Sequence, residues 1–130
     1  MTPQDLMAKA NRAMASAKLL LDSGDVDGAC NRAYYAMFDA ARAALLSIKA
    51  PVPAEVARTH SGLIAAFSLH LVKPGKVAIE HGRSLNKVED LRLIADYRGD
   101  PVTLENAAWA LEQANNFLAA VQALQSKDLP

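Results

Sequence analysis

The stretch VDGACNRAYYAMFDAARAALLSIK, from Val26 to Lys49, decides the fold. Its residues Val26, Cys30, Ala33, Tyr34, Met37, Phe38, Ala41, Ala44, Leu45 and Ile48 recur at the 3.6-residue period of one helix face. No two-residue alternation competes with that pattern, so no strand is expected. A helix with so complete an apolar stripe has to be covered by other helices, which places it at the centre of a bundle. Ser23-Gly24-Asp25 breaks the chain before it, and Ala50-Pro51-Val52-Pro53 ends it.

Helical patterns continue on both sides. Upstream, Pro3 to Asp22 reads as a helix with Thr2 and Asp5 as a capping box and Pro3 in the first turn. Its stripe is Leu6, Ala10, Ala13, Met14, Ala17, Leu20 and Leu21. Downstream, a third helix covers Thr59 to Val72, with a short lead-in from Ala54, and Leu63, Ile64, Phe67 and Leu71 face inward. Lys73-Pro74-Gly75 stops it. The fourth starts between Val77 and Arg83 and ends near Tyr97, before the turn Arg98-Gly99-Asp100-Pro101. The fifth runs from Thr103 to Ser126, with Leu104, Ala107, Ala108, Leu111, Ala114, Leu118 and Val121 at near-heptad spacing. The short tail ending at Pro130 is expected to fray. Connections are short, so neighbours should pack antiparallel. The expected fold is all-α, a four- to five-helix up-and-down antiparallel bundle forming a single domain over residues 1–130. The 26 alanines support helix throughout.

Composition narrows the function. Fourteen basic residues balance fourteen acidic ones, so any nucleic-acid role must rest on a local patch, because phosphate neutralisation supplies most non-specific affinity. The single cysteine, Cys30, excludes an internal disulfide and sits among apolar neighbours. His70 and His81 lack metal-ligand spacing, and no Gly-rich phosphate loop occurs, so neither a metal nor a cofactor is expected. No apolar run reaches membrane-spanning length and no signal pattern opens the chain, which predicts a cytoplasmic protein without a membrane partner. Trp109 reads as packing or interface surface.

Polar residues that interrupt apolar stripes mark the candidate site, since burying them is costly unless they find partners. On the fourth helix Leu85, Val88, Leu91 and Ala95 define an inward arc. Arg92 and Asp96 fall on its edge, four residues apart and able to pair. They read either as a structural ion pair or as a cleft in which Arg92 faces a phosphate. On the third helix His60 shares the arc of Leu63, Ile64, Phe67 and Leu71, as a capping group or a proton-transfer group near neutral pH. On the second helix Asn31, Arg32, Tyr35, Asp39 and Arg42 share the face opposite the core. That face reads as solvated, with Asp39 and Arg42 paired, and Tyr35 hints at an interface or cleft.

Three segments carry a family resemblance: Asn31-Arg32-Ala33-Tyr34-Tyr35-Ala36-Met37-Phe38, Thr59-His60-Ser61-Gly62-Leu63-Ile64, and Arg92-Leu93-Ile94-Ala95-Asp96-Tyr97. In this order they resemble the signature of a small stand-alone branch of the HEPN domain family. The resemblance implies a helical bundle, often a homodimer, encoded beside a minimal nucleotidyltransferase and serving in toxin–antitoxin or defence systems. It also implies metal-independent RNA cleavage by an arginine that is followed by four to six intervening residues and then a histidine. Here Tyr97, Arg98 and Gly99 occupy those positions, and no histidine follows Arg92. Tyrosine is a poor base near neutral pH, with an ordinary pKa of about 10. His60 could take the role from a neighbouring helix if the fold brings it close. The expected catalytic set is therefore Arg92, Asp96, Tyr97 and His60. Asn31, Arg32, Tyr35 and Lys73 are the expected RNA- or nucleotide-binding set. The alternative is a catalytically inactive bundle that dimerises or docks a nucleotidyltransferase.

Overall fold

The structure, a computed structural model, describes residues 1–127. The expected fraying of the tail ending at Pro130 concerns residues outside that range. The chain forms an all-helical up-and-down bundle: α1 (Pro3–Asp22), α2 (Val26–Ser47), the one-turn α3 (Ala54–Ala57), α4 (His60–Phe67), α5 (Ile79–Leu93) and α6 (Leu104–Lys127). Two of these helices widen at their ends into π-helical turns, α4 over Ser68–Val72 and α5 over Ile94–Arg98. Among the described residues no helix is long and apolar enough to cross a membrane.

Local chemistry sets the boundaries. Thr2 and Asp5 form the reciprocal cap of α1: each backbone N–H donates to the other's side chain at 3.0 Å. Gly24 takes φ +89° between α1 and α2, a conformation that favours glycine. Asp25 then caps α2 by accepting from the Gly28 N–H at 2.9 Å.

Helix α2 is the axis of the bundle and packs against α1, α4, α5 and α6. Its burial extends past the apolar stripe, because Ala29, Ala36, Ala40 and Ala43 are also fully buried. These small side chains let the surrounding helices approach closely on more than one side. Asp39 is a correction to the expected solvated face, being only 4% exposed. Its pairing with Arg42 is loose, at 3.9 Å. Burial raises the Asp39 carboxyl above its ordinary value, against the opposing charges of Lys9, Arg42 and Arg32.

The last helix also departs from expectation. Near-heptad spacing put Leu104 and Ala108 inside, yet Leu104 is 61% exposed and Ala108 faces solvent. The core instead takes Ala110 and Phe117, the latter stacked on Phe67 with ring centroids 5.0 Å apart. The near-heptad positions Ala107, Leu111, Ala114, Leu118 and Val121 are buried as expected, and the two exceptions fall in the first turns, Leu104 being the first residue of α6.

Two stability experiments follow. Phe117→Ala should cost about 3–5 kcal/mol in urea denaturation, as deletion of a fully buried aromatic does, whereas Leu104→Ala should change stability by less than about 0.5 kcal/mol. An Asp39 carboxyl raised in the fold binds protons more readily than in the unfolded chain, so its contribution falls as pH rises through the folded value. Asp39→Asn should therefore gain stability relative to the parent protein between pH 4 and pH 7, read from denaturation curves at both.

Candidate functional site

Arg92 occupies the last turn of α5, where the helix crosses α2, and is only 3% exposed. A buried guanidinium needs partners for its charge and its donors. Glu89, one turn earlier, supplies most of them. Arg92 Nη2 donates to Glu89 Oε2 at 2.9 Å and to Oε1 at 3.1 Å, and Nε donates to Oε2 at 3.3 Å. Asp96 is the second carboxylate, 3.5 Å from Nη1. That is long for a hydrogen bond and counts chiefly as charge pairing. Burial alone would lower the Arg92 pKa, but the hydrogen bond and charge of Glu89 outweigh it and hold the group above its ordinary value.

The guanidinium also lies over aromatic rings. Its carbon lies 4.9 Å from the Tyr34 centroid, 5.7 Å from Tyr35 and 5.9 Å from Tyr97, within cation–π range. Asn31 adds a tie from α2 by donating Nδ2 to Asp96 Oδ2 at 3.0 Å. The π-helical turn that carries Asp96 and Tyr97 is thus held to α2 by a hydrogen bond and to α5 by an ion pair.

His60 opens α4, and the local sequence explains its position. Thr59 Oγ1 accepts from the Gly62 N–H at 3.0 Å and donates to the Val56 carbonyl at 3.0 Å. A Cβ on Gly62 would collide with that carbonyl and with Thr59 Oγ1. Threonine and glycine are therefore needed together to start the helix at His60. The imidazole lies among Tyr34, Tyr35 and Phe38, at centroid distances of 5.5, 6.0 and 5.1 Å. Its Nδ1 is 2.7 Å from the hydroxyl of Tyr34. Burial, and after it the charge of Glu89, drives the Tyr34 phenol well above its ordinary value, so that group stays neutral. The phenol donates to Nδ1 when the ring proton sits on Nε2, and Nδ1–H donates to the phenol oxygen when the ring is imidazolium. In both states Nδ1 is engaged with the Tyr34 hydroxyl. His60, Ser61, Asn86 and Glu89 share an open depression of about 600 Å³ between α4 and α5.

The fold thus assembles Asn31, Tyr35, His60, Arg92, Asp96 and Tyr97 into one contact network. Arg32 joins its edge, with the guanidinium carbon 5.8 Å from the Tyr35 centroid. Lys73 lies exposed in the turn after α4 and has no ion pair or side-chain hydrogen bond to the network among the described residues. Tyr97 is 75% exposed. Two members escaped sequence reasoning. Glu89 was legible as an acid three residues before Arg92 on the same face. Tyr34 read as plain core, although a buried tyrosine hydroxyl requires a partner. No group of three or more metal-ligating side chains converges among the described residues.

Comparison with known proteins gives a consistent picture. The HEPN domain family matches residues 3–124. A UPF0332 protein of Gloeobacter violaceus is 41% identical over 101 residues, 76% of each chain. A candidate toxin of Methanocaldococcus jannaschii is 34% identical over 119 residues, covering 92% of this chain and 85% of its own. A UPF0332 protein of Thermotoga maritima is 36% identical over 118 residues, 89% of this chain and 85% of its own.

The two carboxylates beside Arg92 should differ in weight. Glu89→Gln removes the partner of a buried cation and should cost about 3–5 kcal/mol, while Asp96→Asn, at the exposed end, should cost under about 1 kcal/mol. Chemical denaturation at neutral pH measures both.

Proposed function

The chain belongs to the HEPN domain family, and on that ground we propose that it is a toxin-type module that takes RNA at the α4–α5 depression and cleaves it without a metal. The observation that carries this reading is the state of His60: its Nδ1 is held by the buried Tyr34 hydroxyl, and the residue lines the depression together with Ser61, Ile64, Ala65, Asn86 and Glu89. A histidine so placed is oriented for proton transfer near neutral pH. Nε2 takes the proton of a ribose 2′-hydroxyl, the 2′-oxygen attacks the adjacent phosphorus, and the bond to the 5′-oxygen breaks. The departing oxygen takes its proton from solvent.

Arg92 then acts mainly as a positioning residue. Its charge is met by Glu89 and Asp96, and it holds the Glu89 carboxylate at the depression, where that group can accept from a ribose hydroxyl. Arg32 beside Tyr35 is the cation at the edge of the network, and exposed Tyr97 offers an aromatic face on which a base can stack. Lys73 would add phosphate contact only along a longer RNA strand. The candidate toxin of M. jannaschii supports a toxin role; the homodimer and the nucleotidyltransferase partner rest on the family resemblance alone.

A second reading has its own support. Arg92 is buried and already neutralised, which suits a structural tie in a module that works by dimerising or by docking a nucleotidyltransferase.

Incubation of purified protein with single-stranded RNA, with and without chelator, separates the two. The nuclease reading expects chelator-resistant cleavage, lost in His60→Asn while the melting temperature stays near that of the parent. Asparagine can still bond the Tyr34 hydroxyl but cannot carry a proton near neutral pH. Arg92→Ala should lower the melting temperature by roughly 10 °C or more. Absence of cleavage in the parent protein, or cleavage unchanged in His60→Asn, would leave association as the function.

A further inference from the structure

A second concavity lies away from the His60 depression, between the last turns of α2 and the segment that carries α3. Its volume is about 210 Å³. That is below the roughly 300–1,000 Å³ of drug-sized pockets, so its occupant is small. Leu45, Ala50, Val52 and Ala57 form an apolar lining, with Arg42 and Arg58 beside them and no acidic residue. Neither arginine is fully used. The one ion pair of Arg42 among the described residues is with Asp39, at 3.9 Å, and exposed Arg58 makes none there.

The backbone builds the wall of this pocket. Lys49 takes φ 54°, the left-handed conformation that ends a helix and turns the chain back. The Ala50 N–H then donates to the Leu45 carbonyl at 3.0 Å, and the Val52 N–H to the Ala50 carbonyl at 2.8 Å. Ile48 and Lys49 cap the carbonyls of Ala44 and Leu46 at 3.2 and 3.1 Å. Carbonyls at a helix C-terminus would otherwise repel an anion. Here the carbonyls of Ala44, Leu45 and Leu46 each accept a backbone N–H, and the charged residues that line the concavity are Arg42 and Arg58.

We infer that this pocket binds a small carboxylate with a compact apolar body. The carboxylate sits between Arg42 and Arg58, and the apolar body lies on Leu45, Ala50 and Val52. Guanidinium groups match carboxylates through charge-assisted hydrogen bonds, and the lining withdraws the apolar body from water. Such a ligand has two sources, a free short-chain acid or the terminal carboxylate of a peptide that ends in an apolar residue.

Titration of the isotope-labelled full-length protein, followed by its amide resonances, tests the assignment with four probes: hexanoate, N-acetyl-leucine, acetate and hexanol. At least one of the first two should saturate, with shifts at Ala50, Val52 and Ala57. Acetate and hexanol, each lacking half of the chemistry, should bind at least about tenfold more weakly. Arg58→Gln, at an exposed position, should keep the fold, as checked by its melting curve. It should weaken the carboxylate by about tenfold or more, the loss of one charge-assisted hydrogen bond. Tighter binding of hexanoate points to a free acid, and tighter binding of N-acetyl-leucine to a chain terminus. Saturation by neither, equal binding of hexanol, or an affinity unchanged in Arg58→Gln overturns the proposal.

Discussion

Burial of one guanidinium organises this end of the bundle. Arg92 sits at the crossing of α5 and α2 with almost no contact with water. Its charge can stay there only because Glu89 meets it at hydrogen-bond distance and Asp96 sits on its other side. Its desolvated charge is further met by the rings of Tyr34 and Tyr35 from α2, over which the guanidinium lies. Once these partners are in place, the depth of α5 against α2 is set, and with it the positions of Asn31, Asp96 and Tyr97. Hydrophobic burial alone would tolerate sliding between two helices, whereas a desolvated cation tolerates little.

The same ring ties the arginine to the histidine. Tyr34 presents its face to Arg92 and its hydroxyl to His60, so one fully buried side chain links α5 to α4 through α2. This explains why α4 begins where it does. The Thr59 cap and the sterically required Gly62 start the helix at His60, and the Tyr34 hydroxyl takes Nδ1. The depression between α4 and α5 is therefore lined by groups whose orientation is set from beneath. Orientation of this kind separates a group that can move a proton from one that merely lies on a surface.

Helix α2 makes this possible by being small on several sides. Ala29, Ala33, Ala36, Ala40, Ala43 and Ala44 are all fully buried. Close approach of its neighbours lets two large aromatic residues and a buried carboxylate, Asp39, share the helix with the core. The cost falls on Asp39, whose carboxyl is raised by burial and only loosely met by Arg42.

Local chemistry could be read from the residues themselves. The cap of α1, the 3.6-residue stripe of α2, the proline- and glycine-rich breaks and the polar interruptions at His60, Arg92 and Asp96 each depend on neighbours within about one helical turn. Tertiary structure decided what depends on residues far apart. It added Phe117 to the buried face of α6, where Phe67 of α4 meets it, and left Leu104 exposed at the first residue of that helix. It buried Asp39 because alanines on its flanks drew neighbouring helices in. It made Tyr34 the link between His60 and Arg92, a role set by rings and charges on three helices. Periodicity along a chain reports which way a side chain points, and only packing decides what it meets.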